Sequence, residues 1–271
     1  TINLLSLKGC DCSLEKLIVL SDRTGGQVNI IDPADASFEF TNVLKCESIA
    51  TNVGVKIKLH QAYEFKNENL LNLNSDKTLM TKKMGNVNEQ AEVTFAYKLK
   101  DAEELKELEG FDINELKEVP FQAQIEYCKL DGSKCIRIIS RILQTTQDES
   151  QAKEETNLGI VAVNAAHQAS TLTRQGKFRE AQAVLMNNKK FIRENIKSEI
   201  DQNIYNNWTG EVEGLYTQIQ EQVNKEEEAG EGLNKDQKEK KKKRGFFSKM
   251  NDALSSNLNK QSRFNTNGLG M

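Results

Sequence analysis

The residue types able to do covalent or metal chemistry are few in this chain and stand apart. Five cysteines and two histidines are spread over 271 residues. Cys10 and Cys12 form a Cys-x-Cys pair, but a structural zinc site needs four ligands, usually at wider spacing. No second close pair follows, and Cys46 would have to converge on them from a distance. Cys128 and Cys135 flank "KLDGSK". There Asp131-Gly132 reads as a two-residue type I′ hairpin turn. That register sets Tyr127 opposite Ile136 and Ile125 opposite Ile138 on one face. On the other it sets Glu126 opposite Arg137 and Cys128 opposite Cys135, two thiols within disulfide reach if oxidised. The first residues, "TINLLSLKGC", lack the features of a secretory signal, so neighbouring reduced thiols are the expectation. His60 extends an alternating strand and His167 lies in a helix of small residues. Neither stands with a nucleophile or a carboxylate in a hydrolase pattern. No catalytic residue, cofactor or metal ligand is expected in this chain.

Thr24-Gly25-Gly26 invites comparison with a phosphate loop. Such a loop leads from a strand into a helix, so that amide groups and a lysine cradle phosphate. Here the glycines follow a helical stretch, Leu14–Leu20 with Ser13 as N-cap, and lead into "QVNII". The polarity is reversed, and the pair reads as a helix C-cap and turn.

The strongest local candidate for an interaction is near the C-terminus. Lys238, Lys240, Lys241, Lys242, Lys243 and Arg244 precede Phe246 and Phe247, and Met250 and Leu254 share the same helical spacing. Basic residues beside inserted aromatics suit an anionic membrane surface. A nuclear-localisation or nucleic-acid patch, a helix docking on a partner protein and a plain solvated tail are the alternatives. The net charge of −3 argues against a nucleic-acid binder.

The elements that must carry these residues fall into four blocks. Residues 1–45 read as strand, helix and strand, part of an α/β domain. One such unit cannot bury both faces of a sheet, so further units are expected before Thr1, and residues 1–45 alone are expected not to fold. From 46 to 150 the pattern alternates: Val53, Val55, Ile57 and Leu59, then Val93, Phe95, Tyr97 and Leu99, then the hairpin around Asp131-Gly132. This predicts an antiparallel β-sandwich, with the acidic stretch 101–118 as a loop or short inserted helix. From 151 to 225 the period becomes helical, with Gly176 breaking an αα-hairpin and a third helix over 197–224. Residues 226–271 are charge-blocked and poor in aliphatics, which predicts a disordered basic tail. No apolar run of about 18 residues exists to cross a membrane. Two prolines with abundant Asn and Lys fit an AT-rich protist genome.

The order of α/β end, sandwich and helical domain resembles the COPII inner-coat proteins, in which a von Willebrand factor A (vWA) domain precedes a sandwich and a helical domain. Thr24-Gly25-Gly26 with "QVNIID", "MGNVNEQAEVTFAY" and "VPFQAQIEYCKLDGSKCIRIISRIL" carry the likeness. "LSLKGCDCSLEKL", "TGGQVNIIDP" and "IATNVGVKIKLH" resemble more closely the vWA region of circularly permuted Ras-like proteins. The resemblance spans roughly residues 1–195. It implies a multidomain α+β chain: the C-terminal fragment of a Rossmann-like α/β vWA domain, an antiparallel β-sandwich, an α-helical domain and the basic tail. It implies that any divalent-metal site belongs to the vWA part before Thr1. It implies a non-catalytic, cytoplasmic interaction scaffold whose partners are other proteins of an assembly, in trafficking or a larger structure such as a cilium. The alternatives are a regulatory region of a permuted Ras-like GTPase protein and a membrane tether acting through the tail.

Overall fold

A computed structural model describes residues 2–10, 12, 14–24, 26–45, 47–66, 68, 70–108, 116–228 and 252–269. In chain order these form β1 (Leu4–Leu7), α1 (Leu14–Thr24), β2 (Val28–Ile31), α2 (Ala36–Lys45), β3 (Ala50–Lys58), β4 (Tyr63–Lys66), β5 (Leu79–Val87), β6 (Ala96–Leu99), α3 (Ala102–Lys106), β7 (Glu118–Cys128) and β8 (Lys134–Gln144). Five more helices follow: α4 (Glu149–Glu154), α5 (Leu158–Arg174), α6 (Phe178–Glu194), α7 (Glu199–Glu228) and α8 (Asp252–Gln261). The result is a mixed α/β chain with antiparallel sheets and several helices. It divides into two compact units. One holds Thr1–Cys46, Gln90–Glu92 and Asn157–Met271, and the other holds Glu47–Glu89 and Val93–Thr156.

In the first unit β1 and β2 pair in parallel, as expected of a crossover through α1. Leu14, Ile18 and Val28 form a small buried cluster there. The bundle formed by α5, α6, α7 and α8 is the larger core. Ala162, Ala165, Ala166 and Ala169 on α5 let neighbouring helices approach closely, and Trp208, Leu215 and Ile219 on α7 fill the space. Gly176, at φ +76°, turns α5 into α6, and Lys177 N–H donates to the Leu172 carbonyl, a glycine-closed helix end.

The stretch expected to be a disordered tail is corrected over 252–269. Helix α8 and a 3-10 turn at Thr266–Leu269 pack into the bundle, with Leu254, Leu258 and Leu269 almost fully buried and Phe264 buried with them. Only four or five apolar side chains are needed, too few to lift the mean hydropathy of a lysine- and asparagine-rich segment. Leu254 therefore belongs to the core and not to an exposed helical face. Gly214, inside α7, marks where α8 comes near: a Cβ built there would lie 3.3 Å from Asn257 Nδ2.

The second unit is a four-stranded antiparallel sheet, β5-β3-β7-β8, with a two-stranded sheet, β4-β6. Val53, Val55 and Ile57 point into its core, as their alternation predicts. The alternation expected over 91–100 becomes a strand only at Ala96–Leu99, although Val93 and Phe95 still face the core. Phe95 stacks on Phe121 with ring centroids 5.8 Å apart and meets Phe65 edge-on at 5.5 Å.

The β7-β8 hairpin corrects the predicted register by one residue. Gly132 N–H donates to the Lys129 carbonyl (3.0 Å) and Lys129 N–H to the Ser133 carbonyl (2.8 Å). The loop is thus the three residues Leu130-Asp131-Gly132, with Gly132 at φ +87° as its left-handed last position. Asp131-Gly132 end a type I turn; they are not the centre of a two-residue one. Glu126 consequently faces Ile136, Ile125 faces Arg137, Tyr127 faces Cys135 and Cys128 faces Lys134. Cys128 and Cys135 project from opposite faces of the sheet, so they are not a thiol pair, and both are free.

Glu64, in β4, is a buried carboxylate held by Lys98 (2.9 Å) and Lys77 (3.1 Å). The hydrogen bond from Lys98 pulls its pKa below the ordinary value. A depressed carboxylate stabilises the fold above its unfolded pKa, and that contribution is lost as pH falls through the folded value. The second unit should therefore weaken below about pH 4.5. Glu64→Gln should be less stable at neutral pH and show a flatter pH dependence in acid. Denaturant melts from pH 3 to 7 check this; parallel wild-type and variant curves would contradict it.

Candidate interaction surface

The turn at Thr24 and Gly26 is a structural clasp. Gly26 N–H donates to the Ser21 carbonyl (2.8 Å), the long bond of a helix C-cap. Thr24 Oγ1 accepts from Ile2 N–H (2.9 Å), and Gln27 N–H donates to Asn3 Oδ1 (2.9 Å). These bonds bring β2 beside the start of β1. Gly25 lies outside the described residues, as do Ser13 and Cys46.

Among the described residues the chemistry-bearing side chains are not brought together. Cys10 and Cys12 are exposed thiols, and Ser6 Oγ lies 3.4 Å from Cys12 Sγ. His60 Nδ1 accepts from Ala62 N–H at 3.3 Å, closing a local turn, and burial lowers its pKa. His167 Nε2 lies 2.7 Å from the Phe264 carbonyl oxygen, so the ring donates and ties α5 to the residues after α8. Among the described residues no cluster of His, Cys, Asp and Glu has the composition of a metal site. No helix among them is long and apolar enough to cross a membrane. Lys238, Lys240, Lys241, Lys242, Lys243, Arg244, Phe246, Phe247 and Met250 lie outside the described residues.

Helix α8 is positioned by polar groups as well as by its leucines. The Asp252 carboxylate accepts from Cys12 N–H (2.5 Å) and Leu14 N–H (2.6 Å), so it caps α1 from 238 positions away in sequence. Asn259 Oδ1 accepts from Val28 N–H (2.9 Å) and Ser256 Oγ donates to the Val28 carbonyl (3.0 Å). Two backbone groups of β2 are thereby satisfied by side chains of α8.

The second unit carries a surface that the predicted hairpin register conceals. Strand β8 lies at the end of its sheet, and its outer face presents Ile136, Ile138 and Ile142 at 57, 56 and 65% exposure. They stand beside Glu126, Gln124 and Pro120 of β7, on the polar side of the sheet where Lys56 pairs with Glu126 at 2.6 Å. On the other face of β8, Arg137 and Arg141 are exposed and form no ion pair among the described residues. Under the two-residue turn, Ile136 and Ile138 shared the face of Tyr127 and Ile125, which hid the stripe. The signal that was there is Gly132 as the last residue of a three-residue loop. At the far end of β8, Leu143 and Gln144 line a cleft of about 200 Å³ with His60, Tyr63, Tyr97 and Pro120.

No family model matches the chain. It is 30% identical over 193 residues to the circularly permutated Ras protein 1 of Dictyostelium discoideum, a match spanning 71% of this chain and 22% of that protein. The chain thus spans about a fifth of the length of that relative. Its fold is similar to the crystal structure of the human COPII-coat protein Sec24c, with a TM-score of 0.52 over 76% of this chain and 29% of that one, at 12% identity.

Proposed function

We propose that this chain is a non-catalytic protein–protein interaction scaffold, acting without a cofactor as part of a larger assembly on the cytosolic face of a membrane. The observation that carries this reading is β8: a solvent-facing edge strand with three exposed isoleucines. Apolar groups grouped on a polar sheet face are the mark of a contact surface. The likeness to a COPII-coat protein supports an assembly role connected with trafficking. Photo-crosslinkers placed at Ile142 and at Phe38, another exposed apolar site, test it in the full-length protein in cells. Discrete protein adducts are expected at one or both positions and not at exposed Glu180 on α6. A protein that sediments alone and forms no adduct at either position would refute the scaffold.

The relative favours a second reading, in which the chain regulates a Ras-like GTPase domain of the same protein. That reading requires the longer protein to bind GTP, and deletion of this chain to change its GTP turnover. Unchanged turnover would remove it.

The basic-aromatic segment supports a further tethering role. A chain lacking 238–247 but keeping α8 should lose salt-sensitive binding to anionic liposomes, at roughly 1 kcal/mol per lysine or arginine removed. Retained binding would discard the tether. The deletion must stop short of Leu254, whose loss would damage the bundle instead.

A further inference from the structure

We propose that β8 accepts an added strand from a partner polypeptide, one that alternates acidic and branched apolar side chains. This rests on the scaffold reading and names the partner chemistry for that surface.

The hydrogen-bond phase of the hairpin decides which groups are free. Lys129 and Ser133 form a hydrogen-bonded pair at the loop, and Thr145 N–H donates to the Lys117 carbonyl at the other end. In an antiparallel ladder such pairs alternate along the strands. Between those two ends, Cys135, Arg137, Ile139, Arg141 and Leu143 thus bond inward to β7. Pro120, which has no N–H, falls opposite Ile142, an outward position, as this phase demands. Ile136, Ile138, Ser140 and Ile142 therefore aim both N–H and C=O away from β7. Three of those four residues, the isoleucines, also carry the side chains of the apolar stripe.

A long edge with free backbone groups and β-branched side chains pairs readily with another strand. The two faces of β8 set the partner's pattern. Side chains beside the isoleucines are best apolar, and those beside Arg137 and Arg141 best acidic. The side chain across from Leu143 reaches the mouth of the cleft that Leu143 lines with Tyr63 and Tyr97. A second copy fits less well. Full-overlap antiparallel pairing of β8 with itself centres on Ile139 and sets Arg137 against Arg141 twice, like charges directly opposed.

The test uses the full chain and a fluorescent peptide, Tyr-Val-Glu-Val-Thr-Val-Glu-Val-Thr, whose antiparallel register sets Tyr across from Leu143 and Glu across from Arg141 and Arg137. Saturable binding by anisotropy is expected. Ile138→Pro removes an outward N–H without breaking a bond to β7, and should weaken binding about tenfold or more. Arg137→Glu with Arg141→Glu should weaken the Glu peptide about tenfold and favour the same peptide with Lys in place of Glu. The charge-reversal pair keeps the test alive should the proline variant fail to fold. No binding, equal binding of the Glu and Lys peptides, or self-association through β8 that Ile138→Pro abolishes would each overturn the proposal. Adducts at Phe38 with no peptide binding would leave the scaffold standing and sink only the added strand.

Discussion

A chain truncated after residue 251 is expected to lose the cooperative folding of its bundle unit. Leu254 and Leu258 are fully buried, Leu269 is 1% exposed and Phe264 8%. Cutting back one buried residue of this size costs about 2–5 kcal/mol. Removing four at once matches or exceeds the roughly 5–15 kcal/mol by which a domain is stable. The polar losses add to this. Cys12 and Leu14 N–H lose the Asp252 carboxylate, and both groups of Val28 lose their side-chain partners. Trp208, the only tryptophan, is fully buried in this core, so its emission reports the unit directly. Truncation should shift that emission to longer wavelength and abolish its sigmoidal urea transition. Leu258→Ala should keep the transition but lower stability by about 2–5 kcal/mol. A truncated chain with a buried tryptophan and a native midpoint would contradict the packing of α8. Residues 1–45 expressed alone should likewise show no cooperative transition. Their own core is little more than Leu14, Ile18 and Val28, and α8 caps and covers them.

What could be read from the sequence was whatever repeats locally. Val53, Val55 and Ile57 alternate because one face of β3 is buried, and Gly176 ends α5 because its φ is positive; both signals lie within a few residues. What could not be read depended on partners distant in sequence or on one residue of loop length. Helix α8 has polar composition, and its few leucines gain meaning only from Val28, Ser170 and Trp208, far away in the chain. The isoleucine stripe hung on whether Asp131-Gly132 is a whole turn or the end of one. A single residue of register moves every side chain of β8 to the other face, turning an apparent core pairing into an exposed edge. The structure likewise dissolves the thiol pair, and with it the sharpest covalent candidate, while the basic cluster from Lys238 to Phe247 stands on sequence alone.

Gly26→Ala is expected to destabilise the bundle unit by about 3 kcal/mol, a large effect for one methyl group. A Cβ at this position would lie 1.7 Å from the Ile2 carbonyl oxygen and 2.5 Å from its carbon. Both are backbone atoms, so no side-chain rotation relieves the clash. The first residues of β1 would have to leave β2. That movement breaks the Leu4 N–H bond to the Gln27 carbonyl (2.8 Å), the Ile2 N–H bond to Thr24 Oγ1 and the Gln27 N–H bond to Asn3. Gly210, inside α7, provides the contrast of opposite sign. A Cβ there meets nothing within 4 Å. Gly210→Ala should therefore raise stability by about 0.5–1 kcal/mol, through helix propensity alone. Both changes are read by the same Trp208 urea transition. Should Gly26→Ala fall within about 0.5 kcal/mol of the parent, the level of an ordinary surface substitution, β1 would not be held against this turn. Thr24 and Gly26 would then mark a helix end and nothing more.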